Sequence, residues 1–285
     1  MSLIKDNNKN NDLKEIKSKY ILKQVFDNLR PNKFLEIIRY NKNLQNILDK
    51  GINDYRKIYS SIEIILIPKK NELINGNFIN IPNEENQNYY HIFFNDAIEE
   101  VKRKYIKEDE NIEKIKIIVD HEIKSLSGLF KDCQCIKKIE FIKFKRNDIK
   151  DMSHMFDGCK YLEEINFSNF NTDNVKDMSF MFNECSALRK LDLSNFNTNN
   201  VEDMNNMFSF CSFLSELNLS NFKANKAKNI SKMFYYCSFL KKLDLSKFNT
   251  KKYITTGNIF YYCSALKKLV CPDKKIIKLY KYLSN

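Results

Sequence analysis

Cysteine is the residue type in this 285-residue chain with the widest choice of chemistry, because a thiol can form disulfides, bind metals or cycle between redox states. Structural metal sites use paired C-x-x-C motifs, which this chain lacks. Equivalent side chains of a repeat point the same way, which disfavours disulfides between them. We therefore expect a ladder of reduced, structural cysteines. Its six members lie 26 residues apart: Cys133, Cys159, Cys185, Cys211, Cys237 and Cys263.

Other catalytic chemistry has little support in the sequence. It holds only three histidines and five glycines, and it lacks the G-x-S-x-G, H-E-x-x-H and glycine-rich phosphate-loop motifs. His154 occupies a position that other copies of the repeat fill with Phe180 or Asn206, so we expect an exposed side chain without a role. The sequence predicts neither an enzyme nor a bound cofactor or metal.

The cysteines mark a repeat, and the rest of each copy recurs in register with them. One copy, residues 174–196, reads NVKDMSFMFNECSALRKLDLSNF. Its first half has apolar residues three or four apart, as on one face of a helix, and Asn174 with Asp177 is a helix-start pattern. Leu191 and Leu193 then alternate with polar residues, as in a strand. Each copy is predicted to be a helix or helical turn followed by a strand, and neighbouring copies must complete the core.

The pattern L-x-L-S-N-F-N-T-x-N-V-x-D-M-x-x-M-F-x-x-C-S resembles the BspA-type leucine-rich repeats over residues 123–271. The resemblance implies an α/β repeat solenoid, a curved right-handed stack of strand-plus-helical-turn coils that binds macromolecules without catalysis. The polar ladder common in leucine-rich repeats is replaced by an aromatic ladder, which the BspA-type consensus shares. Its members are Phe144, Phe170, Phe196, Phe222 and Phe248.

Three regions are expected. Residues 1–12 are rich in Asn and Lys and are predicted to form a disordered tail. Residues 13–110 are predicted to form a small α+β domain of two helices and a sheet. Residues 111–285 are predicted to form the solenoid with a cap at each end, because exposed apolar ends must be closed.

Within the front region, period-two patterns predict strands at 62–67, 77–81 and 89–94. Asn75-Gly76 favours a hairpin between the first two. A short charged helix is expected at 97–106, and residues 112–119 are interpreted as a degenerate first coil. Apolar residues at 276–283 predict a C-terminal cap helix.

The net charge of +12 is concentrated at the C-terminal end, where residues 223–285 hold 15 lysines and two acidic residues. In a leucine-rich coil, residues beside the strand leucines face the concave surface. That face is the predicted site, and its basic charge suits a protein partner with an acidic segment. The site residues are Arg189, Lys190, Lys241, Lys242, Lys247, Lys267 and Lys268.

The same charge has two alternative interpretations. Lysine also accumulates on the surfaces of proteins from AT-rich genomes, and a basic patch can attract an anionic membrane surface. Nucleic acid is disfavoured, because arginine is scarce and the concave face lacks stacking aromatics. Tyr235-Tyr236 and Tyr261-Tyr262 are expected to pack beside the core. The sequence lacks a membrane-spanning run and an N-terminal apolar leader, which predicts a cytoplasmic protein.

The leading functional hypothesis is a non-enzymatic scaffold that recognises a macromolecular partner through its concave strand face. An alternative comes from residues 17–48, which are similar to an F-box: Ile21–Leu29 is predicted to form one helix, and a second follows Pro31. On that alternative the protein is a substrate adaptor of a ubiquitin ligase.

Overall fold

The structure is a computed structural model, and it describes residues 37, 41–48, 60–69, 76–81, 83–107, 110–250 and 254–283. Contacts divide the chain into two units, Met1–Ser60 and Ser61–Asn285. In the first unit, helix α1 spans Lys42–Leu48, and the Asn41 side-chain oxygen accepts the Leu44 N–H at 3.1 Å as an N-cap. The predicted tail at 1–12 and the predicted helix at 13–29 lie outside the described residues.

The second unit is made mostly of strands in small sheets, with few helices among its described residues. A 3-10 helix spans Glu84–Tyr89, and the predicted C-terminal helix is present as α2, Lys274–Leu283. None of the helices described is long and apolar enough to cross a membrane. The strands are β1 (Ile62–Pro68), β2 (Gly76–Asn77), β3 (Tyr90–Phe94), β4 (Tyr105–Ile106), β5 (Ile115–Val119), β6 (Ile136–Lys143), β7 (Glu164–Asn166), β8 (Lys190–Asp192), β9 (Glu216–Asn218), β10 (Lys242–Asp244) and β11 (Lys268–Val270).

One five-stranded sheet, in the order β3-β5-β1-β6-β7, joins the front of this unit to the repeats. β1 is antiparallel to both neighbours, with Ile64 opposite Ile117 and Phe141. The predicted hairpin is therefore wrong, since β2 pairs with β4 instead. Residues 112–119 are not a degenerate coil either, because β5 lies antiparallel between β1 and β3. The apolar strand β1 pairs with the edge of β6 to which the strand of a preceding coil would have to bind.

Because this sheet joins strands from the front region to the repeats, the boundary between the two units lies at 60/61. The boundary predicted from the sequence was 110/111. The predicted charged helix at 97–106 is also replaced by an extended path. There the Val101 N–H donates to the Ile92 carbonyl of β3 at 2.7 Å, and the segment ends in β4. Hydrogen bonds to a neighbouring strand here outweigh local helix propensity.

The six copies of the repeat, called repeats 1 to 6 after the six spaced cysteines, stack in parallel. Paired strand residues are 26 positions apart, as in Lys138↔Glu164, Lys190↔Glu216 and Lys242↔Lys268. The first halves of the copies are joined by single parallel bridges at the same spacing, from Ser125↔Asp151 to Asn229↔Thr255. The bridges therefore join all six copies in succession, and strand pairing adds a second row between repeats 1 and 2, 3 and 4, and 5 and 6.

The first half of each copy forms successive turns rather than an α-helix. Asp177 does not cap a helix: its Oδ1 accepts the N–H and Oγ–H of Ser179 at 2.8 and 2.6 Å, which fixes a turn. Phe180 and Glu184 have positive φ angles of 56° and 57°. The Phe180 N–H donates to the Asn205 carbonyl of the next copy at 2.9 Å. These backbone N–H groups donate to carbonyls of the next copy, so they are not available for the internal hydrogen bonds of an α-helix.

The core of the stack is a column of phenylalanines, one per repeat, each with at most 2 % of its surface exposed. Successive rings stack with centroids 5.4 to 5.8 Å apart. That separation is somewhat larger than the roughly 4.8 Å between paired strands, and it lies in the range of favourable aromatic contacts. The column consists of Phe130, Phe156, Phe182, Phe208, Phe234 and Phe260.

Candidate functional site

All eight cysteines are free thiols, and five of the six spaced ones are buried. Each thiol of repeats 2 to 6 donates to a phenylalanine carbonyl of the preceding repeat, at 2.9 to 3.2 Å. Burial raises the pKa of Cys211 and of Cys263 to about 12. A protonated, buried thiol is a poor nucleophile and metal ligand. The described residues also contain no group of three or more His, Cys, Asp or Glu side chains that could hold a metal ion.

The second aromatic column, from Phe144 to Phe248, is buried as well. Its first rings are close, with centroids 4.2 Å apart for Phe144 and Phe170 and 5.4 Å apart for Phe170 and Phe196. Apart from the partly exposed Cys263, both ladder columns predicted from the sequence thus lie inside the stack and offer no surface to a partner.

His154 is not the exposed spectator that the sequence suggested. Its ring stacks on Phe180 with centroids 4.6 Å apart, and its Nδ1 lies 2.8 Å from Asp157 Oδ2. Asp157 also accepts hydrogen bonds from Lys131 of repeat 1 at 2.9 Å and from Asn183 of repeat 3 at 2.7 Å. Burial favours the neutral acid, but these hydrogen bonds outweigh it and hold the pKa of Asp157 below its ordinary value. This network joins three repeats and has a structural role.

The strand face, meaning the exposed residues of strands β7 to β11 and those within three positions of them, carries all seven predicted site residues. All seven side chains are exposed. Three of them are already engaged within the chain. Lys190 pairs with Glu216 at 2.7 Å, the Arg189 guanidinium lies over the Phe213 ring at 5.7 Å, and Lys247 donates to Asn221 Oδ1 at 2.8 Å.

The other four, Lys241, Lys242, Lys267 and Lys268, have no ion pair in the part of the chain that the structure describes. They belong to repeats 5 and 6. In the earlier repeats the same columns alternate in sign, so that lysines of repeat 1 pair with Glu163 and Glu164 of repeat 2. The strand face therefore changes from internally neutralised to predominantly basic along the stack, with Asp244 as the acidic residue that repeats 5 and 6 place on it.

A shallow depression of about 560 Å³ crosses the middle of the strand face. Residues from three successive repeats line it, and polar groups of both signs converge there. The main ones are Lys190, Asp192, Glu216, Asn218, Lys242 and Asp244.

Exposed aromatic side chains border this face, contrary to the expectation that aromatics pack inside. Phe213 and Phe239 are 44 % and 50 % exposed and lie against each other with centroids 5.2 Å apart. Phe239 precedes Lys241 by two residues. Tyr261 and Tyr262, expected beside the core, are 39 % and 51 % exposed. Comparing equivalent positions would have shown this, since Tyr262 corresponds to the polar Glu184 of repeat 3.

Family comparison gives one match. Residues 124–238 and 166–271 match the family described as "Mycoplasma protein of unknown function, DUF285", and together the two segments cover just over half of the chain. No curated protein matches. The matched segments contain the spaced cysteines, the phenylalanine columns and the strand face. The chain belongs to the DUF285 family, whose repeats are of the BspA-like kind.

Proposed function

We propose that this protein is a non-enzymatic scaffold that binds a macromolecular partner, a protein with an acidic segment, through its strand face. In this proposal the six repeats form a right-handed, BspA-type leucine-rich-repeat solenoid, and the strand face is its concave side. The observation that carries the proposal is the set of four lysines on repeats 5 and 6 without an ion pair among the described residues.

The arrangement of these lysines is electrostatically unfavourable in the isolated chain. Lys242 lies directly opposite Lys268 in the parallel register of β10 and β11. Like charges directly opposite each other destabilise a pair of strands by a few tenths of a kcal/mol. Carboxylates from a partner would remove this repulsion and form charge-assisted hydrogen bonds. Steering by such a patch also raises the rate of encounter with an acidic partner.

The aromatic border adds apolar area to the same surface. Phe213 and Phe239 expose roughly half of their side chains next to the charged columns. Exposed aromatic side chains beside charged groups are typical of the energetically dominant centres of protein interfaces. The partner segment that fits this face combines acidic residues with at least one apolar residue.

A site-specific photo-crosslinker tests the proposal. We would place it at position 242 on the strand face of the full-length protein, and at position 228 as the matched control. Lys228 is also an exposed lysine, but it pairs with Glu202 of the preceding repeat. In lysate of the native cells, we expect a discrete polypeptide to be labelled from position 242 and not from 228.

A competition experiment tests whether the four lysines are needed for binding. Unlabelled wild-type protein should abolish labelling from position 242, whereas a variant with Lys241, Lys242, Lys267 and Lys268 all changed to Glu should not compete. Equal competition by the two proteins, or equal labelling from both positions, would show that the strand face is not the binding site. Labelling of lipid or nucleic acid from position 242 would also contradict a protein partner.

The ubiquitin-ligase adaptor stays a prediction. Its F-box-like segment, residues 17–48, lies mostly outside the described residues, of which α1 is the part within it. No contact of the described residues favours it over the strand-face proposal.

A further inference from the structure

Each internal repeat donates a row of four backbone hydrogen bonds to the repeat that follows it. The donors sit at every second residue of the turn half, and the N···O distances are 2.7 to 3.0 Å. In repeat 4 the donors are the N–H groups of Met204, Asn206, Phe208 and Phe210, and the acceptors are the carbonyls of Asn229, Ser231, Met233 and Tyr235. These bonds are what hold one turn half against the next.

Repeat 6 has the same four donors, and no further repeat follows it among the described residues, which continue into α2. The N–H groups of Thr256, Asn258, Phe260 and Tyr262 have no acceptor within the described part of the chain. The backbone of repeat 6 keeps the shape of the internal repeats. Asn258 and Tyr262 have positive φ angles of 56° and 60°, as do their equivalents Phe180 and Glu184 in repeat 3. The last turn half therefore presents a preformed row of donors.

Helix α2 covers the core end of repeat 6 but leaves space beside this row. Ile276 is fully buried, the Tyr280 hydroxyl donates to the Leu266 carbonyl at 3.1 Å, and the Tyr280 ring lies 6.1 Å from the Phe260 ring. Between them is a cavity of about 530 Å³. Its lining is largely aromatic and includes Phe260, Tyr261, Tyr262, Cys263, Leu266 and Tyr280. Two of the donor residues, Phe260 and Tyr262, thus also line the cavity.

We propose that this C-terminal edge is a second binding site, separate from the strand face, for an extended segment of another polypeptide. The segment's carbonyls, two residues apart, accept the hydrogen bonds of Asn258, Phe260 and Tyr262, and one of its large apolar side chains occupies the cavity. This is binding by strand addition, in which main-chain bonds supply affinity and a pocket supplies specificity.

The charge around the edge specifies the segment further. Helix α2, beside the edge, carries four lysines and no acidic residue. The nearest carboxylate in the sequence, Asp273, is already bonded to Thr250 and to the first amides of α2. A segment with acidic residues beside its apolar residue is therefore complementary to the edge.

A second copy of this chain fits the edge less well than a different polypeptide. Head-to-tail stacking would need free acceptors at the opposite end of the repeats. There β1 pairs with β6, and the Asn80 N–H donates to the Leu129 carbonyl at 2.7 Å. The front of repeat 1 is thus already covered by the chain itself.

Amide hydrogen exchange on the full-length protein, read by NMR, tests the site. The probe is a synthetic peptide with the sequence of residues 200–214, NVEDMNNMFSFCSFL, which has the acceptor spacing of a following repeat and two acidic residues. Without peptide, the amides of Asn258, Phe260 and Tyr262 should exchange rapidly, and those of Asn206, Phe208 and Phe210 slowly. With saturating peptide, the first set should slow by at least roughly tenfold, which corresponds to about 1.4 kcal/mol. A scrambled peptide of the same composition should leave them unchanged.

A second experiment tests the cavity with one variant that fills it and one matched control variant. Ser264→Tyr places a ring at the mouth of the cavity, and Ser186→Tyr makes the same change at the equivalent position of an internal repeat. We expect peptide affinity to fall at least roughly tenfold in the first and to stay unchanged in the second. Charge reversal at Lys241 and Lys242, which belongs to the strand face, should leave peptide affinity within about twofold, so failure of one site is distinguishable from failure of the other.

Three results would overturn the proposal. One is slow exchange of the repeat 6 amides in the free protein. Another is equal peptide affinity in Ser264→Tyr and Ser186→Tyr. The third is protection that grows with protein concentration in the absence of peptide, because a second copy would then occupy the edge.

Discussion

Repeats 1 to 3 and repeats 4 to 6 share one backbone and one core but differ in what joins their surfaces. In the first three, Lys131, Asp157 and Asn183 form a hydrogen-bonded polar network across the copies. In the last two, the equivalent residues are Tyr235 and Tyr261, whose rings stack at 5.7 Å. The position tolerates either chemistry, and the small, buried Ser209 of repeat 4 separates the polar network from the stacked tyrosines.

The strand face shows the same contrast in charge. Early repeats neutralise each other through ion pairs such as Lys138 with Glu164, at 2.9 Å, whereas repeats 5 and 6 place lysine opposite lysine. The charged side chains of the strand face thus form ion pairs with one another in the early repeats, whereas the lysines of repeats 5 and 6 face other lysines. Substitutions can test whether polar contacts stabilise the early repeats and whether like charges destabilise repeats 5 and 6.

The largest effect is expected from Arg146→Ala, at the start of the repeats. The buried Arg146 guanidinium pairs with Asp148 and donates to the Asp120 and His121 carbonyls at 3.0 Å. Removing it deletes a buried side chain and four charge-assisted hydrogen bonds, and leaves Lys124 and the Ile123 N–H as the remaining donors to these groups, so the free energy of unfolding should fall by about 3 kcal/mol. Urea denaturation measures the loss. The adjacent exposed Lys145→Ala is the control and should change it by less than about 0.5 kcal/mol. Similar losses in both variants would show that the polar contacts do not hold this end.

An intermediate effect is expected from Asp157→Ala, with a loss of about 2 kcal/mol at neutral pH because three hydrogen bonds to a buried carboxylate disappear. The pKa of Asp157 is lower in the folded protein than its ordinary value. Its contribution is therefore complete above the unfolded aspartate pKa of about 3.9 and is lost as the pH falls through the lower folded pKa.

The difference in stability between wild type and Asp157→Ala should accordingly shrink under acidic conditions, as followed by urea denaturation at several pH values. Tyr261→Ala, at the equivalent position of repeat 6, should destabilise less than Asp157→Ala, and its effect should not change over the same acidic range. A pH-independent loss for Asp157→Ala would mean that packing, not its charge, joins the first three repeats.

The smallest effects, of opposite sign, are expected on the strand face. Lys190→Glu breaks the pair with Glu216 and sets two acids opposite each other, which should destabilise by about 0.5 kcal/mol. Lys268→Glu, at the end of the same column, sets an acid opposite Lys242 and should stabilise by a similar amount. Thermal denaturation of the two variants at low salt measures both changes, and added salt should reduce them. The same sign for both would contradict the contrast in charge between the two ends.

The repeat itself could be predicted from the sequence because it depends on local spacing. The 26-residue period puts the cysteines and both phenylalanine columns at equivalent positions, and the structure buries nearly all of them. For the turn half the sequence left two alternatives, a helix or a helical turn, because its apolar spacing fits both, and the structure shows successive turns. The choice depends on carbonyls of the next copy, such as that of Asn205, which are distant in sequence.

The front of the unit and the aromatic border could not be predicted, for different reasons. The antiparallel position of β5 depends on β1, which is more than 45 residues away in sequence, and no local pattern encodes that pairing. The exposed Tyr262 resembles a core residue in sequence because it follows the buried phenylalanine column. Its equivalents Asp132 and Glu184 are polar, and they identify the position as a surface one.

The thiol column gives the protein a set of intrinsic probes of local opening. Each of the six spaced cysteines belongs to a different repeat, and the five that are buried are closed to alkylating reagents while their repeat stays folded. Cys263, the only partly exposed member, belongs to the repeat with a neighbour on one side alone. The order in which the thiols are modified, determined by peptide mapping, therefore gives the order in which the repeats fray, without any engineered label.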